Sequence, residues 1–143
     1  MNHASGTKSV TKAAASVAAS ATHSHEIDTL GFKYAAIDVV FSPFTAATAA
    51  YASVLKVQES DASGSGQADV TGLSVTAGAG STTGASVGAV ARFNVDLRGR
   101  KRYLTVVTSP GNTVAIASNA RLSKAEQHAV TATESGVNNV ANL

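Results

Sequence analysis

The 143-residue chain contains no cysteine, no tryptophan, one methionine and two prolines. Without cysteine it can form neither disulfides nor thiolate metal sites, so its stability has to come from packing and assembly. Aromatic residues make up 5% of the chain, and much of its 44% hydrophobic fraction is alanine, which buries little area. We therefore expect a thin core, which favours a homo-oligomer (dimer or trimer) or docking on a larger surface.

Charged residues are also scarce, at 14% of the chain, and the net charge is only +2. Proteins that bind nucleic acid usually carry a denser basic stripe, so nucleic acid is not an expected partner. No apolar run approaches the about 18 residues of a transmembrane helix. Residues 13–21, an Ala/Ser/Val stretch that follows Lys8 and Lys12, are too weakly apolar for a secretory signal. We expect no membrane association.

Sequence motifs of the common enzyme classes are missing as well. The glycine-rich residues 78–88 lack the G-K-[ST] of a phosphate-binding loop, and no serine lies in a G-x-S-x-G elbow. The scattered aspartates have no spacing that assigns a general acid and a general base. Residues 61–65, D-A-S-G-S, lack the terminal glutamate of a calcium loop. We expect neither an enzyme nor a cofactor.

His23 and His25, followed by Glu26, form the one cluster with the character of metal ligands. In an extended strand the H-x-H spacing directs both imidazoles to the same side, so zinc could bind if a further ligand came from elsewhere. The competing interpretation is a polar segment that happens to contain two histidines. We favour it and predict no metal site, because structural zinc usually takes four ligands. His3 and His128 could join only through folding or oligomerisation, and a metal-dependent enzyme is the lowest-ranked alternative.

Both ends of the chain are expected to form arms. Residues 1–27 are rich in Ala, Ser and Thr and have no large apolar residue before Ile27. They are predicted either as an extended arm that orders against a neighbouring molecule or as a short helix over residues 11–21, and we favour the arm. Residues 123–143 are polar and are predicted as a second arm, partly helical, because S-K-A-E at residues 123–126 has capping-box spacing.

Between the arms, residues 28–122 are predicted as a β domain, because apolar and polar residues alternate as in half-buried strands. Strands are predicted at residues 30–41, 53–60, 68–76 and 112–122, with a turn at 61–66 and a mobile loop at 78–88. Five to eight short strands indicate an antiparallel sandwich or barrel. We favour an all-β fold, an antiparallel β-sandwich of jelly-roll-like form with extended N- and C-terminal arms.

The most informative stretch covers residues 90–110, V-A-R-F-N-V-D-L-R-G-R-K-R-Y-L-T-V-V-T-S-P. Two alternating runs flank R-G-R-K-R, which predicts a β-hairpin with Gly99 in its turn. The four cations of its tip and the tyrosine after them are the predicted partner-binding residues: Arg98, Arg100, Lys101, Arg102 and Tyr103. They either bind an acidic partner or form internal ion pairs. The remaining alternative is a solvated tip that discourages edge pairing.

Five segments resemble a group of small tailed-phage virion proteins. They are T-L-G-F-K-Y-A-A-I-D-V-V (29–40), V-L-K-V-Q-E-S-D (54–61), A-D-V-T-G-L (68–73), R-F-N-V-D-L-R-G-R-K-R-Y-L-T-V (92–106) and V-A-I-A-S-N-A-R-L (114–122). The resemblance covers about residues 29–123. Its most specific element is the D-L-x-G-R-K-R-Y-L pattern. Members of the group resemble head decoration (cement) proteins with a β-sandwich core, which clamp neighbouring capsomers.

The resemblance implies a structural virion protein on the outer surface of a phage head, with the major capsid protein as its partner. It would stabilise the capsid by bridging major capsid subunits. The main alternative is a tail-associated or receptor-facing sandwich that binds glycans. Such a module would use exposed aromatic residues, and the candidates are Phe32, Tyr34, Phe44, Tyr51 and Tyr103.

Overall fold

The structure, a computed structural model, describes residues 6–43, 51–75, 88–124 and 136–137. Within these ranges the chain is all-β, as predicted. The strands are β1 (Lys8–Val17), β2 (His23–Asp28), β3 (Tyr34–Phe41), β4 (Ala52–Ser60), β5 (Ala68–Ser74), β6 (Ala89–Asp96), β7 (Tyr103–Pro110) and β8 (Val114–Ser123). The described residues include no helix of the length and apolarity that crossing a membrane requires.

The strands form two antiparallel four-stranded sheets that pack face to face. One sheet has the order β1-β8-β3-β6 and the other β2-β7-β4-β5. The first strand pairs with the eighth, the second with the seventh, the third with the sixth and the fourth with the fifth. The chain is therefore one long antiparallel ribbon rolled into two sheets, which is the arrangement of a jelly roll. The predicted β-sandwich is confirmed.

The core lies between the sheets, because alternation along each strand turns every second side chain inward. The first sheet buries Ile37, Val39, Phe41, Phe93, Val95, Ile116 and Leu122, and the second buries Ile27, Leu55, Val57, Leu104 and Val106. Most of these side chains are aliphatic and of medium size. The interior is therefore a single thin layer of apolar side chains, as the composition suggests.

The predicted β-hairpin over residues 90–110 is wrong in its pairing. Both of its strands form, as β6 and β7, but they belong to different sheets and do not pair with each other. Their inward residues, among them Phe93 and Val106, meet the core from opposite sides. Alternation in the sequence shows that a strand has one buried face, but it does not show whether two successive strands pair or pack face to face.

The N-terminal segment differs from the expected arm and from the helix weighed against it. β1 pairs along β8, and β2 pairs along β7, so the sandwich begins at Lys8 and not at residue 28. The turn between the two strands is attached to β7, where the Ser20 N–H donates to the carbonyl of Pro110 at 2.8 Å. Backbone pairing needs no large side chains, which explains how an Ala/Ser/Thr-rich segment joins both sheets.

The predicted C-terminal arm and the predicted mobile loop lie almost entirely outside the described residues. Gly136 is described, and it lies against the backbone of Ser9 in β1 with a φ of 71°. A side chain at this position would overlap the Ser9 carbonyl. The chain therefore returns to the edge strand β1 at this point, and the close approach requires glycine.

Two neighbouring valines of β3 provide a test of the sandwich. Val39 is 0% exposed and Val40 is 41% exposed. We predict that Val39→Ala lowers the free energy of unfolding by about 2 kcal/mol, because it removes two buried methyl groups and leaves a cavity. The matched change Val40→Ala should cost less than about 1 kcal/mol. Denaturant unfolding measures both values, and equal losses would contradict the assigned faces of β3.

Candidate functional site

The predicted partner-binding residues lie at one end of the sandwich, in the connection between β6 and β7. We call this connection, residues 97–102, the basic loop. Its first residue, Leu97, is buried, and the Leu97 carbonyl accepts a hydrogen bond from the Arg100 N–H at 3.0 Å. Gly99 closes this turn with a φ of 79°, in the region where the sequence required glycine. The tight turn directs the cationic side chains away from the core.

The basic loop is hydrogen-bonded to the connection between β2 and β3, residues 29–33. The backbone N–H and the hydroxyl of Thr29 both donate to the carbonyl of Arg102, at 3.0 and 2.7 Å. At the other end of the loop, the Leu97 N–H donates to the carbonyl of Lys33 at 2.9 Å. Both connections cross from one sheet to the other at this end, so these bonds hold the two crossings side by side.

All four cations of the basic loop have carboxylate partners. The pairs are Arg98–Asp96 at 2.5 Å, Arg100–Glu59 at 3.5 Å, Lys101–Asp61 at 3.0 Å and Arg102–Asp28 at 2.7 Å. The carboxylates belong to β6, β4, the turn after β4, and β2, so the pairs connect the loop to both sheets. These are the internal ion pairs that the sequence offered as one interpretation of the cluster.

Two of the arginines bind their carboxylates through two nitrogens. Arg102 Nε and Nη2 donate to the two carboxylate oxygens of Asp28 at 2.9 and 2.7 Å, which lowers the pKa of Asp28 below its ordinary value. Hydrogen bonds from Arg98 lower the pKa of Asp96 to about 2. Both carboxylates therefore remain ionised in mildly acidic solution, and the loop keeps these two pairs there.

Two tyrosines lie beside these cations. The Arg102 guanidinium is 4.9 Å from the ring centroid of Tyr103, the fifth predicted site residue. The ring of Tyr34 has the Arg98 guanidinium at 5.8 Å and the Lys124 ammonium at 4.7 Å. These distances are those of cation–π contacts, so both aromatic rings are already engaged by positive charges.

This end of the sandwich has an excess of positive charge. Its described cations are Lys8, Lys33, Arg98, Arg100, Lys101, Arg102 and Lys124, and its described carboxylates are Glu26, Asp28, Glu59, Asp61 and Asp96. We call these residues, together with Leu30, the basic end. Leu30 is 65% exposed. Seven positive groups against five negative ones leave a small positive excess around an exposed leucine, which would suit an acidic protein surface.

Sequence reasoning located the four cations of the basic loop but neither their partners nor Lys8, Lys33 and Lys124. Asp96 stands two residues before Arg98, so its pairing has a local signal. Asp28, Glu59 and Asp61 come from distant parts of the chain. They meet the loop only because the roll brings the ends of β2 and β4 to the same place as the crossing from β6 to β7. No residue spacing in the sequence predicts these contacts between the carboxylates and the basic loop.

The two histidines of the predicted metal-like cluster lie inside the sandwich. His23 and His25 are both on the inner face of β2, in the common direction that the H-x-H spacing predicts. Glu26 faces the other side, where its carboxylate accepts hydrogen bonds from the Ser63 hydroxyl at 2.5 Å and the Gly64 N–H at 2.7 Å. In the part of the chain that the structure describes, no three His, Cys, Asp or Glu residues are grouped to hold a metal ion.

The aromatic residues considered for glycan binding do not form one exposed surface. Phe32 and Tyr51 pack against the core, and Tyr34 and Tyr103 lie at the basic end beside cations. Phe44 is outside the described residues. A stacking platform for sugars therefore has no support among the described aromatic side chains.

No protein-family model, no curated protein and no solved structure matches this chain. The jelly-roll fold and the basic end are therefore the structural observations that bear on function.

Removing one arginine should change the titration of its carboxylate. We predict that Arg98→Gln raises the pKa of Asp96 from about 2 towards the ordinary 3.8, because the hydrogen bonds and the positive charge that stabilise the carboxylate are lost. NMR titration of the side-chain carboxyl carbon measures this shift. The matched control, Lys101→Gln, should leave Asp96 unchanged because Lys101 pairs with Asp61. An unshifted Asp96 in Arg98→Gln would show that this ion pair does not persist in solution.

Proposed function

We propose that this chain is a structural protein of a tailed-phage head, which decorates the outer surface of the shell and stabilises it by bridging neighbouring major capsid subunits. The observation that carries the proposal is the basic end, a surface with a positive excess in which all four cations of the basic loop are ion-paired. The D-L-R-G-R-K-R-Y-L stretch that resembles the phage virion group supplies the centre of this surface. The resemblance and the geometry therefore point to the same residues.

The fold supports a structural role by analogy. Jelly rolls with eight strands occur in viral capsid domains and also in lectin domains, so the fold alone does not decide between a capsid role and a glycan-binding role. The surface favours the capsid role. Glycan binding would need exposed aromatic faces, and the described tyrosines at the basic end are covered by cations. A charged surface with one exposed leucine favours a protein partner.

The internal ion pairs prepare the basic end for binding. The side chains of Arg98, Lys101 and Arg102 remain 68%, 41% and 44% exposed although each contacts a carboxylate. A partner carboxylate can therefore approach the same cations without displacing the internal one. Because the internal pairs already restrict the long side chains, less conformational entropy is lost on binding. The positive excess also steers an acidic surface towards this end.

A decoration protein binds more tightly when the same contact is repeated at many sites of the shell. Each exposed ion pair contributes little, about 0 to 1 kcal/mol. A shell presents many identical sites, so a dimer or trimer of this chain would bind several subunits at once and gain avidity without any new contact. The thin core favours such a homo-oligomer, which would bury further apolar area.

The test is co-sedimentation of the purified chain with heads of the phage that encodes it, and separately with its tails. We predict binding to heads, and at least tenfold weaker binding for the double variant Arg100→Gln/Lys101→Gln, because two cations of the basic end are lost. Raising the salt concentration should also weaken binding, since exposed charges are screened.

The matched control is Lys56→Gln/Arg92→Gln. It also removes two ion-paired cations, but these lie on the outer faces of the two sheets, where Lys56 pairs with Asp69 and Arg92 with Asp38. This variant should bind heads as the wild type does. Equal weakening of both double variants would show that the basic end is not the binding surface. Binding to tails but not to heads would overturn the assignment to the shell.

A further inference from the structure

Two histidines interrupt the aliphatic interior of the sandwich. His23 is 5% exposed and His25 is 3% exposed, and they occupy two successive inward positions of β2, with Ile27 at the third. Neither takes part in the basic end. Two of the three side chains that β2 turns into the core are therefore ionisable, although a buried ionisable group is costly once it is charged.

The strands around this pair offer few hydrogen-bond acceptors. On β8, the Ser118 hydroxyl lies 2.7 Å from His25 Nδ1 and can donate to that nitrogen while the ring is neutral. On β7, Val106 and Thr108 stand opposite the two histidines in the strand register. His23 Nε2 is buried and has no hydrogen-bond partner among the described residues. A protonated His23 would need an acceptor at this nitrogen, and no described group hydrogen-bonds to it; the buried hydroxyl of Thr108, opposite His23 in the register, is likewise without a partner among the described residues.

The positive charge of Lys12, on β1, disfavours protonation of both histidines and lowers the pKa of each. Its ammonium donates to the carbonyl of Ser24 at 2.7 Å, across the gap between β1 and β2. The side chains of β7 and β8 that face the pair are not ionisable, and Glu26 points to the opposite side of β2. Protonation of His23 and His25 would thus create two buried positive charges near the ammonium of Lys12. No carboxylate of the described residues faces them.

This environment keeps both rings neutral at neutral pH. Burial, followed by the charges of His23 and Lys12, lowers the pKa of His25 from 6.5 to about 4. Burial and Lys12 also lower the pKa of His23. Released from the core, the rings regain their ordinary pKa near 6.5 and bind protons more tightly than in the fold. The packed state is therefore fully favoured above about pH 6.5, and it loses stability as the pH falls from there towards 4.

The segment that carries the histidines lies at the edges of both sheets. β1 and β2 are both edge strands, and each pairs with only one neighbour. The core residues of the segment are few, with Val17 and Ile27 buried and Val10 and Ala14 partly buried. The larger side chains, such as Phe41, belong to the remaining six strands. The β1–β2 segment can therefore detach and leave the pairings of β8-β3-β6 and of β7-β4-β5 intact.

We propose that residues 8–28 form an acid-released segment, which detaches from β7 and β8 when His23 and His25 become protonated while β3 to β8 stay folded. The Asp28–Arg102 pair persists in mildly acidic solution. The C-terminal end of the segment therefore stays attached to the basic loop while the rest of the segment separates from β7 and β8. Its release uncovers the edges of β7 and β8, which can then pair with another strand. The release requires no capsid partner, although the segment carries Lys8 and Asp28 of the basic end.

Amide hydrogen exchange of the full chain, read by mass spectrometry and corrected for the intrinsic pH dependence of exchange, tests the proposal. Between pH 6.5 and 4.5 the protection factors of peptides from β1 and β2 should fall by up to about tenfold per pH unit for each proton taken up. Peptides from β3 and β6 serve as the internal control and should keep their protection. Equal loss of protection in all strands would overturn the proposal, because it would indicate global unfolding.

The double variant His23→Gln/His25→Asn removes both titrating groups and keeps polar atoms at similar positions, so protection of β1 and β2 should become independent of pH. His3→Gln/His128→Gln, which replaces the two histidines outside the described residues, should retain the wild-type behaviour. If the first variant does not fold, NMR titration of the imidazole protons in the wild-type protein tests the proposal instead. Resonances of His23 and His25 that titrate near pH 6.5 in the intact fold would overturn the proposal.

Discussion

Backbone pairing between the two halves of the chain is the interaction on which this protein depends. Each strand of the first half is hydrogen-bonded to a strand of the second, from β1 with β8 to β4 with β5. Side chains add a thin layer of mostly aliphatic residues between the sheets. A segment as poor in large residues as β1 can therefore be part of the fold, because its contribution is mostly main-chain hydrogen bonds and little buried area.

The same roll creates the two features of functional interest. It brings the crossings between the sheets, residues 29–33 and 97–102, to one end, where four cations meet carboxylates from distant strands. It also makes β1 and β2 edge strands on the same side of the sandwich and closes His23 and His25 inside. At the basic end the loop cations are ion-paired, and on the β1–β2 side the two edge strands can separate without breaking the pairings of the other six strands.

Several properties followed from the sequence because they are local. Alternation in residues 30–41 and 53–60 gave the buried faces of β3 and β4, and Gly99 marked the turn of the basic loop. The predictions that failed concern relations between segments. The stretch 90–110 has two strands but no hairpin, and the expected N-terminal arm supplies β1 and β2. The first error lies in which strands pair with each other, and the second in whether the N-terminal segment pairs within the chain at all.

The sequence by itself determined the all-β class, the inward and outward faces of the strands, the position of the cation cluster and the common direction of His23 and His25. These properties depend on a period of two residues and on the allowed backbone angles of glycine, both of which act within a few residues. Only the tertiary structure decided that the cations are paired, that both histidines are buried and that β6 and β7 lie in different sheets. These depend on contacts between residues far apart in the chain, which the rolled ribbon selects and no local pattern specifies.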